Sequence, residues 1–96
     1  MPQQDLDPII HSQTRLAILS ALSSIEQIDF TQLRDKLGTT DGNLSIHLMK
    51  LEEAGHVEIL KQEKKPKTLC QITEKGREAF VMYLQNLKEL LGQHLQ

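Results

Sequence analysis

The segment from Gly42 to Leu51 constrains the fold of this chain most strongly. Its leucines, Leu44, Leu48 and Leu51, are spaced four and three residues apart, which places them on one stripe of an α-helix. The other positions carry mainly small or hydrogen-bonding residues, with few of the charges that cover a solvated helix. We therefore predict a helix with a buried leucine edge and an opposite face that is pressed against a partner.

Residues at both ends of this helix can cap it. Thr39 and Thr40 are candidate N-caps because their hydroxyls can accept a backbone hydrogen bond. Asp41 suits the positive end of the helix dipole, and Gly55 can adopt the left-handed conformation that often ends a helix. The predicted helix runs from Asp41 to Ala54.

A shorter helix is predicted just before it. Thr31 is the candidate N-cap, and Leu33 and Leu37 share one face. Gly38 ends this helix, so only three residues separate the two. The spacing predicts a helix-turn-helix over residues 31–54, in which the second helix enters the DNA major groove.

The N-terminal part of the chain is predicted to form one helical region over residues 6–24. Asp7 and Pro8 suit its first turn, and Ser12 can divide it into a short turn and a main helix. The connector that follows has room for a very short strand around Ile28.

After Gly55 the hydrophobic period becomes two, which predicts a β-hairpin over residues 56–72. Pro66 marks the turn between its strands. Four lysines and one glutamate lie between residues 61 and 67, a local charge of +3 in a chain whose formal net charge is −2. The negative total argues against DNA binding, but this polarised hairpin resembles a wing that brings lysines to phosphates.

The last segment predicts a long helix over residues 73–95 with a broad apolar face. Such a face exceeds what a domain of this size needs for its own core, so we predict a two-fold symmetric dimer contact; the alternative is that the helix folds back on its own core. The predicted dimer contacts are Ile9, Ile10, Phe80, Tyr83, Leu84, Leu87, Leu90 and Leu91.

These elements predict a single domain over residues 1–96, of the mainly α class with a small β-hairpin (α+β). The expected architecture is a winged helix-turn-helix with a long C-terminal dimerisation helix. No apolar stretch is long enough to cross a membrane, and the N-terminus lacks a secretory signal pattern. A single cysteine, Cys70, fits a cytoplasmic protein and is expected to be a small buried hydrophobe.

The order of elements and several segments resemble winged helix-turn-helix transcriptional regulators of the MarR and ArsR type. The similar segments are Leu6–Ser12, Arg15–Leu19, Asp29–Arg34, Thr40–Ser45, His47-Leu48, Leu51–Gly55 and Pro66–Gly76. The resemblance implies a cytoplasmic homodimer that binds a pseudo-palindromic operator in double-stranded DNA, usually repressing transcription. Two features depart from the family pattern: Ile46 stands where a basic or polar residue is common, and the wing carries lysines without arginines.

The predicted DNA contacts lie on the second helix and on the wing. They are Thr40, Gly42, Asn43, Ser45, Ile46, His47, Met49, Lys50, Lys64, Lys65 and Lys67. His47 lies at the edge of the leucine stripe, so it is expected to pack there with one nitrogen near a phosphate. Gly42 would permit close approach to DNA.

Ile46 and Met49 point away from the leucine stripe, and three explanations stay open. They could contact thymine methyl groups in the major groove, bind a protein partner, or be covered by a neighbouring element. The second explanation makes the domain a protein-interaction module, and the negative net charge supports it.

Other chemistries have little support in the sequence. No phosphate-binding glycine loop, zinc-protease motif or nucleophile elbow is present, so no enzyme activity or cofactor is predicted. One cysteine and four scattered histidines (His11, His47, His56 and His94) predict no metal site, since Gly55 interrupts the helix between Glu53 and His56. If a small-molecule effector exists, its expected place is a crevice between the N-terminal, C-terminal and recognition helices of a dimer.

Overall fold

The computed structural model describes residues 6–93, which form four helices and three strands. In chain order these are α1 (Gln13–Ser23), β1 (Ile28–Asp29), α2 (Phe30–Leu37), α3 (Asp41–Glu53), β2 (Val57–Lys61), β3 (Thr68–Ile72) and α4 (Glu74–Gly92). The predicted winged helix-turn-helix with a long C-terminal helix is confirmed. Residues 94 and 95, which the sequence also assigns to the last helix, lie outside the described residues.

The three strands form one antiparallel sheet in the order β1, β3, β2. The wing hairpin pairs Val57 with Ile72, as its alternating pattern predicts. The short strand around Ile28 also forms and pairs with Cys70 on the other edge of β3. Since β3 is the central strand, Cys70 is buried, as predicted.

The N-terminal region divides at Ser12, as its sequence predicts. Residues 8–10 form a turn rather than a helix, closed by Asp7, whose carboxylate accepts a hydrogen bond from the Ile9 amide at 2.9 Å. Ser12 then caps α1, and its hydroxyl accepts a hydrogen bond from the Arg15 amide.

Glycine and capping side chains define the turn between α2 and α3. Gly38 adopts φ +64° at the end of α2, and Thr40 caps α3 by accepting a hydrogen bond from the Asn43 amide at 3.2 Å. The prediction that Thr31 caps α2 is wrong, because the carboxylate of Asp29 accepts a hydrogen bond from the Thr31 amide. The helix therefore begins one residue earlier, at Phe30.

The leucine stripe of α3 is buried as predicted. Leu44, Leu48 and Leu51 lie in one core with side chains from every other helix and from the sheet. The buried members of this core are Ile10, Ile18, Leu19, Ala21, Leu22, Leu33, Leu44, Leu48, Leu51, Val57, Cys70, Phe80 and Tyr83. Burial of the stripe fixes which face of α3 is turned outward.

A close contact joins the start of α4 to the end of α3. Gly76 packs on the backbone of His56, and a Cβ atom at Gly76 would lie 2.0 Å from the His56 carbonyl oxygen. Thr73 caps α4 and also donates its hydroxyl to the Gly55 carbonyl at 2.6 Å. The Thr73 amide donates to the His56 carbonyl at 3.0 Å. These contacts hold α4, the wing and α3 in fixed relation.

Candidate nucleic-acid interface

The outward face of α3 carries most of the residues predicted to contact DNA. Gly42, Ser45 and Lys50 are exposed on it. Ile46 and Met49 are 57% and 54% exposed, although both are large apolar side chains. Since they remain this exposed within residues 6–93, the explanation that a neighbouring element of the described chain covers them is wrong.

The side chain of Asn43 lies on the same helix but already has a partner. Its amide group donates a hydrogen bond to the Thr39 hydroxyl at 2.7 Å. The Thr40 hydroxyl is likewise engaged as the helix cap. Both residues lie where the sequence places them, but their polar atoms stabilise the turn between α2 and α3.

His47 is held at the edge of α3 by Arg15 of α1. The Arg15 guanidinium contacts Nδ1 of His47 at 3.0 Å and donates to the backbone carbonyls of Ile9 and Pro8. One arginine therefore ties the N-terminal turn, α1 and α3 together. The expectation that His47 packs at the edge of the stripe agrees with its partly buried position.

This contact also determines which ring nitrogen of His47 carries the proton in the neutral form. A guanidinium only donates hydrogen bonds, so Nδ1 must accept, and in the neutral ring the proton is on Nε2. Partial burial, with the charges of Arg15 and Lys50, lowers the pKa of His47 below its ordinary value. His47 is thus a neutral side chain whose Nε2–H is a donor.

The wing supplies free positive charge. Lys64, Lys65 and Lys67 are exposed in the turn between β2 and β3. Within residues 6–93 the ion pairs are those of Arg34, so none of these lysines has a carboxylate within 4.0 Å. Their ammonium groups are available to phosphates.

A groove of about 520 Å³ separates the wing from α3. Its lining residues are Phe30, Ser45, Leu48, Met49, Glu52, Ile59, Lys61 and Thr68. Outward residues of α3 and residues of both wing strands therefore border one open channel, and the two predicted contact elements lie side by side.

The three arginines of the chain are all engaged in internal contacts. Arg34 pairs with Asp35 at 2.9 Å and Asp41 at 2.8 Å, which bridges α2 to α3. Arg77 donates to the Ser23 carbonyl at 2.9 Å. With Arg15 bound to His47, all three guanidinium groups have partners within the fold, whereas the wing lysines have no carboxylate partner among residues 6–93.

The predicted dimer contacts differ in how far the chain's own fold buries them. Ile10, Phe80 and Tyr83 are buried in the chain's own core. Leu84 and Leu91, by contrast, are 42% and 47% exposed, and they line a shallow apolar hollow on α4 together with Leu87, Lys88 and Gly92. Ile9 and Leu90 are partly buried. The exposed apolar side chains of α4 are therefore Val81 and Met82 in its middle and Leu84 and Leu91 toward its C-terminal end.

Two residues of the interface, Arg15 and Arg34, were not predicted as site residues. Arg15 is an isolated cation in an otherwise apolar helical pattern, which is a signal for a buried polar contact. Its partner His47 lies 32 residues away, so only the tertiary structure identifies the pair. Arg34 likewise reaches Asp41 across the turn.

Residues 6–93 contain neither a membrane-spanning helix nor a cluster of metal ligands. No helix there combines the length and apolar composition that crossing a membrane requires. The same range holds no group of three or more His, Cys, Asp or Glu side chains placed to bind a metal ion.

Known proteins that resemble this chain in sequence or structure agree with a winged-helix fold. Residues 14–91 match the winged helix DNA-binding domain family. An uncharacterized protein of Methanocaldococcus jannaschii is 44% identical over 84 residues, which cover 85% of this chain and 91% of the relative. A transcriptional regulator homologue from Pyrococcus horikoshii OT3 is 30% identical with a TM-score of 0.86, over 92% of this chain and 89% of that one. A MarR mutant from E. coli, complexed with operator DNA, has the same fold with a TM-score of 0.75 at 22% identity, and the match covers 92% of this chain and 64% of MarR.

Proposed function

Because this chain belongs to the winged helix DNA-binding domain family and is a transcriptional regulator, we propose that it binds operator DNA as a homodimer and represses transcription. Each α3 would occupy a major groove, and each wing would follow the adjacent backbone. Half-sites would lie about one helical turn, or a multiple of it, apart. Since the proposed partner is genomic DNA, the protein is expected in the cytoplasm.

The observation that carries this proposal is the open face of α3 beside unpaired wing lysines. Ser45 and Met49 border the same groove as Lys61. A duplex seated on this face would bring backbone phosphates to Lys64 and Lys65, whose charges have no carboxylate partner among residues 6–93. The local positive charge outweighs the formal net charge of −2, because phosphate contacts depend on the nearest charges.

His47 adds a neutral contact to this surface. Its Nε2–H is oriented by the bond from Arg15 to Nδ1. A phosphate oxygen is a suitable acceptor for such a donor. This role combines the packing position of His47 with the predicted phosphate contact.

The proposed dimer forms through the C-terminal part of α4. Leu84 and Leu91 are exposed there. The fold is elongated, with extents of 54, 25 and 21 Å along its three principal axes. A second copy related by two-fold symmetry would cover these leucines and space two α3 helices for two half-sites. Repression is proposed by analogy with the transcriptional repressor CouR, which has the same fold and whose structure contains a DNA duplex.

The DNA proposal is tested by a salt series on wing variants. Lys64→Gln/Lys65→Gln should reduce the slope of log affinity against log salt by about 0.9 for each lost phosphate contact, hence about 3.6 for a dimer. The control is Lys75→Gln, which removes one charge per chain from an exposed position at the start of α4 and should leave the slope unchanged. Equal slopes for the two variants, or no binding of duplex DNA at low salt, would contradict the proposal.

The dimer proposal is tested separately by sedimentation. Leu84→Glu/Leu91→Glu should give a monomer that keeps its helical circular dichroism. The control Met82→Glu places a charge at an apolar side chain that is 56% exposed and lies about 160° and 180° around α4 from Leu84 and Leu91, and it should remain a dimer. A dimeric leucine variant would refute this interface.

A further inference from the structure

The side chains that α3 turns outward leave few ways to distinguish base pairs. Guanine is most often recognised by arginine or lysine and adenine by asparagine or glutamine. Here α3 carries one lysine, Lys50, and no arginine, and its asparagine, Asn43, donates its amide to Thr39 at 2.7 Å. The chain's three arginines have partners within the fold: Arg34 contacts Asp41 and Arg15 contacts His47, both on α3, and Arg77 donates to the Ser23 carbonyl.

The middle of the outward face is apolar instead. Ile46 and Met49 are one helical turn apart and more than half exposed, 57% and 54%. The C5-methyl of thymine is the apolar group that base pairs present in the major groove. A polar base edge placed against these side chains would lose water without gaining a hydrogen bond, whereas a methyl group gains by burial.

We infer that Ile46 and Met49 select operator half-sites by contact with thymine methyl groups. The inference rests on the proposed function, because it needs α3 in the major groove. Ser45 and Lys50, the polar neighbours on this face, are short or flexible and would contact base edges or phosphates without comparable selectivity. Specificity at the centre of each half-site is therefore apolar.

Deoxyuridine tests this inference, because it pairs like thymidine and lacks only the methyl group. The full-length protein would first select a duplex from a random-sequence library, and footprinting would identify the region of that duplex that the protein protects from cleavage. Thymidines of this protected region would then be replaced one at a time by deoxyuridine, and each duplex would be titrated by fluorescence anisotropy. Each contacted methyl that is removed should weaken wild-type binding about fourfold. Replacement of thymines outside the protected region serves as the DNA control and should change nothing.

The protein variants complete a cycle with the DNA variants. Ile46→Ala/Met49→Ala should bind the thymine duplex more weakly and become indifferent to deoxyuridine. Val81→Ala/Met82→Ala, a pair of similar exposure on α4, should keep the full sensitivity to the methyl groups. Circular dichroism of each variant checks that the fold is retained.

The outcomes separate the inference from its premise. If salt-dependent binding persists while deoxyuridine has no effect, or if the alanine variant keeps its sensitivity to deoxyuridine, the thymine inference is overturned and the DNA-binding proposal stands. If no duplex binds at low salt, both are overturned.

Discussion

Replacement of Gly76 by alanine should destabilise this protein although alanine is the better helix former. Gly76 lies in the first turn of α4, against the backbone where α3 gives way to the wing. A Cβ atom there would lie 2.0 Å from the His56 carbonyl oxygen, while ordinary contact begins at 3.4 Å, so the shortfall is 1.4 Å. The atoms in the way belong to the backbone, so no side-chain rotation can relieve the clash.

The magnitude follows from what must move. Overpacking costs about 1–3 kcal/mol, and displacement of the His56 carbonyl also weakens the hydrogen bond that it accepts from the Thr73 amide at 3.0 Å, about 1 kcal/mol more. The gain in helix propensity offsets about 0.5–1 kcal/mol. The net loss is about 1–3.5 kcal/mol, or roughly 4–28 °C in Tm for a domain of this size.

Urea denaturation followed by circular dichroism measures this loss, at one protein concentration because association adds stability. Gly42→Ala is the matched control, since a Cβ atom at that helical position meets nothing within 4 Å. The control should be stabilised by about 0.5–1 kcal/mol. If Gly76→Ala is as stable as the wild type, or shifts in the same direction as Gly42→Ala, the close packing of α4 on His56 is refuted.

Three further predictions concern single side chains. Arg15→Met should lower the free energy of unfolding by about 1–3 kcal/mol, because it leaves the Ile9 carbonyl and His47 without their donor. The control Gln13→Met, at an exposed position of α1, should change the free energy of unfolding by less than about 0.5 kcal/mol. Equal urea midpoints for the two variants would contradict this prediction. Burial and the charge of Lys75 lower the pKa of His56, although Asp7 acts in the opposite direction. The unfolded chain therefore takes up a proton on His56 at higher pH than the folded chain does. The contribution of neutral His56 to the free energy of unfolding should be complete above about pH 6.5 and should be lost as the pH falls below that value. His56→Leu should reduce that loss in urea titrations at about pH 7.5 and pH 5.5, and parallel losses in the two proteins would rule out the contribution of His56. Burial raises the pKa of Cys70 to about 11, so iodoacetamide should label this thiol only after unfolding, a result that mass spectrometry of native and urea-treated protein would check.

The sequence determined those parts of the fold that depend on local pattern. The spacing of Leu44, Leu48 and Leu51 identified the buried edge of α3, and Gly55 marked its end, because helix periodicity and left-handed caps are local properties. Thr31 was misassigned as a cap because Asp29 is fixed by pairing with Leu69 of β3, a contact 40 residues away in the chain. Long-range pairing of this kind leaves no periodic signal.

The candidate site was predicted in position but not in chemistry. Helical periodicity placed Asn43 and His47 near the outward face, yet the hydrogen bonds to Thr39 and Arg15 decide which of their atoms are free. On α4 the apolar pattern could not show which side chains join the chain's own core: Tyr83 is buried, Leu87 is partly buried against the core, and Leu84 is exposed. Such divisions depend on tertiary packing.

The central claim, that the outward face of α3 lies in the major groove, is tested most directly by affinity cleavage. An iron chelate attached to Ser45→Cys would be bound to the selected duplex, with Cys70 left unlabelled because it is buried. We expect strand cleavage within each half-site, at positions about one helical turn or a multiple of it apart, and none from the same chelate on Glu78→Cys of α4. Intact DNA with the Ser45→Cys conjugate bound, or equal cleavage by both conjugates, would contradict the claim.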